Sequence, residues 1–166
     1  MIPKLNKLLL PILATLTFAS PSWALPEDSQ QEIQITSDSA SLDKVQGIII
    51  YTGNVKMNQG TLKIQADQIT LTRDQDGLQK VVALGKPAQY EQIISEQEGK
   101  TQASGETIIY HAATEELVLI KDASLEKQGN LFSGEKIVYL INEQRIKADS
   151  QVHMVIQPRK EKSSNE

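Results

Sequence analysis

The chain has no cysteine, and among its 166 residues it has only one Trp, four Tyr and two Phe. Without cysteine, thiol catalysis, Cys-ligated zinc, iron–sulfur clusters and disulfides are all excluded. Stability must come from core burial or strand pairing, and with so few aromatics the core must be mostly Ile, Leu and Val. Imidazoles are equally scarce. His111 and His153 are the only two, and neither has a second ligand at metal-binding spacing, so no metal site is expected. There is no G-x-S-x-G elbow, no phosphate-binding loop and no dinucleotide glycine fingerprint. No catalytic residue and no cofactor is therefore assigned. An amphipathic helix is also missing from residues 25–166; the helix formers of 112–119 lie inside a unit that reads as strand.

What is present begins with an address. Lys4 and Lys7 give a positive start, residues 8–18 form a short apolar run interrupted by Pro11, and Ser22-Trp23-Ala24 offers small residues at a cleavage site. The run is too short for a membrane span of about twenty residues, so 1–24 read as a cleaved signal peptide and the protein as exported. Without Lys4 and Lys7, 15 basic residues face 21 acidic ones. A net charge of about −6 argues against nucleic acid or an anionic membrane surface as partner. Residues 25–157 then form one domain, and 158–166, after Pro158, a polar tail expected to be disordered.

From Ile33 onward the hydrophobic period is two. Ile33 and Ile35, Ile48 and Ile50, Val55 and Met57, Leu62 and Ile64, Ile69 and Leu71, Ile108 and Tyr110, Leu117 and Leu119, Ala123 and Leu125, Ile137 and Tyr139, and Val152, Met154 and Ile156 alternate with mainly polar neighbours. Such alternation marks half-buried strands. Asn58-Gln59-Gly60, Asp74-Gln75-Asp76-Gly77, Glu98-Gly99 and Gln128-Gly129-Asn130 punctuate them as turns.

The strands repeat. Ser37-Asp38, Ala66-Asp67, Gly105-Glu106 and Gly134-Glu135 each place a small residue before an acid, with an apolar residue on both sides at matching offsets; the acids are 29, 39 and 29 residues apart. Within the unit the inward parity flips at the acid, which is what a β-bulge or strand corner does. The small residue permits a close approach at the bend, and the carboxylate can accept local backbone N–H groups. These acids read as architecture rather than as a catalytic row. A looser element, Thr52-Gly53-Asn54-Val55, Gly85-Lys86-Pro87-Ala88 and Lys121-Asp122-Ala123, reads as a turn or bulge feeding a return strand.

Taken together, residues 33–38, Tyr51-Thr52-Gly53-Asn54-Val55, residues 59–67, Gly85-Lys86-Pro87-Ala88, Gly105-Glu106 and Gly134-Glu135 through Tyr139 resemble, in order and spacing, the LptA family of lipopolysaccharide transport proteins. The resemblance covers roughly residues 33–157. It implies an all-β fold, a twisted open β-jellyroll of antiparallel strands with a V-shaped cross-section and two open edges. It implies a periplasmic, non-enzymatic bridge that carries lipopolysaccharide between the membranes, with the lipid A acyl chains in the apolar interior. It implies LptC at the N-terminal edge, LptD at the C-terminal edge, and head-to-tail self-association.

On that footing the inward series Ile35, Ile64, Ile69, Leu71, Tyr90, Ile108, Tyr110, Leu119, Leu125, Ile137 and Tyr139 is expected to line the lipid groove. Ile33, Gln34, Ile35 and Thr36 form one expected edge, and Val152, Met154 and Ile156 the other. An edge pairs readily with another strand. The ligand's phosphates are expected to stay in solvent, because the protein is acidic. Two other readings compete: an LptC-like member of the same fold group that keeps its N-terminal segment as an anchor, and a periplasmic carbohydrate-active enzyme on a β-roll.

Overall fold

The computed structural model describes residues 28–75, 77–95 and 98–158; the expected signal peptide, 1–24, and residues 159–166 of the expected tail lie outside these. After a single 3-10 turn, Asp28–Gln30, the described chain is strand throughout. The strands are β1 (Ile33–Thr36), β2 (Ser39–Asp43), β3 (Ile48–Gln59), β4 (Leu62–Asp74), β5 (Gly77–Ser95), β6 (Gly99–His111), β7 (Glu116–Lys127), β8 (Asn130–Leu140), β9 (Arg145–Asp149) and β10 (His153–Val155). Residues 112–115, which carry helix formers, make the turn into β7.

All ten strands belong to one antiparallel sheet in which β3 to β8 follow in chain order. β1 and β2 lie end to end along β3, and β9 and β10 lie end to end along β8. Each open edge therefore consists of two short strands, where the sequence suggested one. Of the residues expected at the C-terminal edge, Met154 lies in the ladder within His153 to Val155, and Val152 and Ile156 flank it.

Each of the five ladders between β3 and β8 breaks register near its middle, at Thr52/Val55, Gln65/Gln68, Leu84/Ala88, Ser104/Thr107 and Ile120/Ala123. These breaks form one line across the sheet. On β4, β6 and β8 the line runs through Ala66-Asp67, Gly105-Glu106 and Gly134-Glu135, as the parity flip predicts. On β3 and β7 it runs through residues in the left-handed region, Gly53-Asn54 and Lys121-Asp122. The second sequence element is thus the other strand's half of the same corner, not a turn into a return strand. The middle spacing of 39 residues is longer than the others because β5 has 19 residues where β3 and β7 have 12.

The line is a crease. Lys127 pairs with Asn130 at one end of the β7–β8 ladder, and Tyr139 lies nine residues further along β8. In a flat strand that is about 30 Å at 3.3 Å per residue. The Lys127 ammonium nevertheless donates a hydrogen bond to the Tyr139 hydroxyl at 2.6 Å. Each long strand is therefore folded at its corner, and the two halves of the sheet face each other as the arms of a V.

Small residues make the crease possible. A Cβ on Gly105 would lie 3.2 Å from the Ile120 carbonyl oxygen, and one on Gly134 would lie 3.0 Å from that of Ser150. The acids sit on the outside and are exposed. Asp38 accepts the Asn54 side-chain amide at 2.9 Å and Glu106 pairs with Lys121 at 3.4 Å, so at these corners the carboxylates hold side chains rather than backbone N–H groups. We predict that Gly105→Val, which pushes a branched side chain into backbone it cannot move, costs about 1–3 kcal/mol. Urea unfolding checks this; an unchanged midpoint would contradict the crease.

Candidate functional site

Because opposite residues in an antiparallel ladder share a face, the register shows how the inner surface is assembled. On the first arm one apolar row crosses the whole sheet: Ile35, Met57, Ile64, Tyr90, Ala103, Leu125, Phe132, Met154. The second arm carries two more. One is Leu42, Ile49, Leu71, Val81, Tyr110, Leu117, Tyr139, Ile146; the other is Ala40, Tyr51, Ile69, Ala83, Ile108, Leu119, Ile137, Ala148. Every row starts on one edge strand and ends on the other.

All eleven residues expected to line a groove lie on these rows. Ten are buried, and Ile35, on the edge, is half-buried against the same core. Val81, Ala83 and Leu117 are equally central but absent from that expectation. For Val81 and Ala83 the cause is the run Val81-Val82-Ala83-Leu84, which has no polar residue to reveal its parity. The same ambiguity misleads at Ile48-Ile49-Ile50-Tyr51. Ile49 and Tyr51 face the core, not Ile48 and Ile50, because they pair with Leu71 and Ile69.

At the mouth of the V the inner surface turns polar. Gln92, Thr101, Lys127 and Asn130 form a cross-strand row of the first arm at the end of the β6–β7 and β7–β8 ladders. Lys127 is the one buried charged residue among the described residues. Its ammonium lies 2.7 Å from a Glu98 oxygen, with the two side chains only 10% and 14% exposed, and 5.0 Å from the Tyr139 ring centre. Glu98 also accepts a hydrogen bond from the Gln144 amide, between β8 and β9 on the other arm. Burial alone would lower the Lys127 pKa, but the hydrogen bonds to Glu98 and Tyr139 outweigh it and leave the group raised and charged. Thr101, opposite Lys127, is fully buried, and its hydroxyl has no partner, an arrangement that costs about 1–3 kcal/mol.

Nearer the N-terminal edge the 3-10 turn lies at the same mouth. Asp28 accepts hydrogen bonds from the Thr61 amide and hydroxyl, both at 2.6 Å, and from Gln92 at 2.7 Å. A cleft of about 680 Å³ beside it is lined by Asp28, Ile33, Leu62, Leu78 and Tyr110. A second cleft, of about 370 Å³, lies between Gln92 and Glu98 on one arm and Ile141 and Gln144 on the other. Each volume suits one small ligand.

The edges are exposed. Val152, Met154, Val155 and Ile156 present apolar surface at the C-terminal edge, with Ile156 68% exposed. His153 sits on that exposed edge and His111 inside the β6 ladder, far apart in the sheet. Among the described residues no three His, Asp or Glu side chains converge as metal ligands.

An open, creased sheet with an aliphatic interior, a polar mouth and two free edges is an open β-jellyroll. Residues 34–145 match the family model described as the LptA/(LptD N-terminal domain) LPS transport protein. The chain is 39% identical to the lipopolysaccharide export system protein LptH of Pseudomonas aeruginosa, over 91% of this chain and 95% of that one. It is 35% identical to LptA of Escherichia coli, over 89% and 82%. The crystal structure of LptH, the LptA-homologous periplasmic component of the lipopolysaccharide transport device of P. aeruginosa, superimposes with a TM-score of 0.76. That match has 38% identity and covers 80% of this chain and all of that one. The chain belongs to the LptA family, the one its motifs resemble.

The buried phenols give a test of the closed interior. Burial pushes Tyr90 well above its ordinary value of 10, helped by the nearby Tyr110, Tyr139, Asp28 and Glu115. Burial, then Glu115 and Asp28, push Tyr110 up to about 12. The fold favours the neutral phenols, so their contribution to stability is complete below about pH 10 and is lost as the pH rises through the folded values. Tyrosinate absorbance should show Tyr90 and Tyr110 resisting ionisation until the chain unfolds in strong alkali, and Phe substitution at both should remove their share of that late phase. Ionisation of Tyr90 and Tyr110 near pH 10 with the circular dichroism unchanged would contradict the buried rows.

Proposed function

We propose that this chain carries lipopolysaccharide through the periplasm, holding the lipid A acyl chains between the two arms and joining other jellyrolls at its edges. The observation that carries the reading is the set of apolar rows that run unbroken from one free edge to the other. A row that ends on a free edge can continue into a neighbouring sheet, so copies stacked head to tail would extend one apolar path. The names of the relatives supply the cargo, and the geometry is consistent with it. Lipopolysaccharide is an amphiphile whose chains gain about 0.8 kcal/mol per buried CH₂, enough in total to offset the parting of the arms.

In this reading the family's partners take the edges: LptC the N-terminal one, β1 with β2, and LptD or another copy the C-terminal one, β9 with β10. Strand addition needs free backbone groups at an edge together with apolar side chains that continue the inner face. Ile35 and Met154 are those side chains on the first arm. No catalytic step is assigned to any residue. The interior is filled by its own side chains, so several acyl chains require the arms to move apart.

Photo-crosslinking tests the path. A photoreactive residue at the inward Leu71 or Ile137 should give lipopolysaccharide adducts, while the outward Thr70 and Val138 should give few. Equal yields from both faces would sink the proposal. At the edge, Ile35→Asp should weaken crosslinking to the inner-membrane partner by about tenfold, as expected for loss of an interface anchor, with the monomer's circular dichroism retained. Unchanged partner crosslinking would remove the N-terminal edge from the account.

A further inference from the structure

The polar mouth has features that acyl-chain burial does not explain. An aliphatic interior does not need a lysine at its rim, and taking an ammonium and a carboxylate out of water is costly even when they pair. Lys127 and Glu98 are nonetheless both nearly buried, 2.7 Å apart, and each is tied to the opposite arm, Lys127 through the Tyr139 hydroxyl and Glu98 through the Gln144 amide. The contacts to Tyr139 and Gln144 span the two arms and hold only while the mouth is shut, whereas the Lys127–Glu98 pair lies within the first arm. Beside Lys127 in the ladder, Thr101 offers a buried hydroxyl with no partner. The cleft of about 370 Å³ between the arms is bordered by Glu98, Gln92 and Gln144.

We propose that Lys127, freed from Tyr139 when acyl chains part the arms, exchanges Glu98 for a phosphate of the amphiphile's headgroup, with the Thr101 hydroxyl as its second donor. The inference rests on the transport reading and adds to it the place where the headgroup charge is met. It also revises the expectation that the phosphates stay wholly in solvent. An ammonium pairs with a phosphate oxygen as readily as with a carboxylate, so the cation exchanges one anion for another rather than losing its partner. Glu98 lies at the turn between β5 and β6, loses its Gln144 contact as the mouth opens, and can turn outward into water as the phosphate displaces it. Asp28 and Glu115, which line the cleft with Tyr110, disfavour an anion inside it, so the phosphate is met beside the cleft, at Lys127.

The test compares three probes on the full folded chain: diphosphorylated lipid A, a phosphate-free acylated glucosamine disaccharide, and inorganic phosphate. For the wild type, lipid A should bind more tightly than the phosphate-free lipid, and inorganic phosphate should neither bind nor compete, because nothing has opened the latch. Lys127→Met should weaken lipid A by about tenfold, the loss of one charge-assisted hydrogen bond, and leave the phosphate-free lipid unchanged or tighter. Lys127→Arg should restore the preference, and Glu98→Gln, which removes the competing anion, should tighten lipid A. Circular dichroism of each variant separates these effects from misfolding.

Equal weakening of both lipids by Lys127→Met would make the lysine a structural brace and overturn the inference. So would unchanged lipid A binding, or saturable binding of inorganic phosphate alone at Lys127. Failure of the wild type to bind either lipid would instead bring down the transport reading, and this subsite with it.

Discussion

The crease is the constraint on which the rest of the structure depends. Six long strands each change their inward face at one line, and that is possible only where neighbouring backbones approach closely. Gly105 and Gly134 lie where a Cβ would press on a carbonyl oxygen, while Gly53-Asn54 and Lys121-Asp122 turn the opposite strands through the left-handed region. Without the crease and its parity flip, the same sequence would form a flat sheet with the apolar residues of its two halves on opposite faces, both open to water. With it, the sheet covers its own inner face and leaves only its two edges unpaired.

From this follows a division of labour across the inner surface. The rows near the crease are aliphatic and hold the arms together by area, at about 25 cal/mol per Å² of apolar surface. The row at the mouth is polar and holds the arms by a few directed contacts among Lys127, Glu98, Tyr139 and Gln144. Directed contacts break within a small displacement, whereas apolar surface can be exchanged for the surface of a lipid. On the proposed reading, a mouth closed in this way yields to a ligand that brings both acyl chains and charge. Tight packing near the crease keeps the arms aligned while the mouth moves.

Much of this was legible in the sequence, and the exceptions have physical causes. The acid-marked corners at Asp67, Glu106 and Glu135 are visible because a parity flip leaves an odd spacing between apolar residues. Their partners on β3 and β7 read as turns instead, since a left-handed pair within a strand resembles a hairpin signal locally. Gly85-Lys86-Pro87-Ala88 on β5 does so through its glycine and proline. Parity is lost where apolar residues are continuous, as at Ile48-Ile49-Ile50-Tyr51. The short edge strands β2 and β9 carry too few alternating residues to stand out. Lys127 was invisible for another reason. A lysine in Leu125-Glu126-Lys127-Gln128 reads as a solvated strand end, and only the fold brings Tyr139 and Gln144 across to meet its cluster.

The central claim is that a ligand's chains lie between the arms, which must therefore part at the mouth. Because the chain has no cysteine of its own, spin labels can be placed at two chosen positions, Gln128 at the tip of the first arm and Asn142 at the tip of the second. Pulsed electron–electron distance measurement should show the separation lengthening when lipopolysaccharide saturates the protein, and returning when the lipid is removed. An unchanged distance distribution with lipid demonstrably bound would place the ligand outside the V and contradict the account.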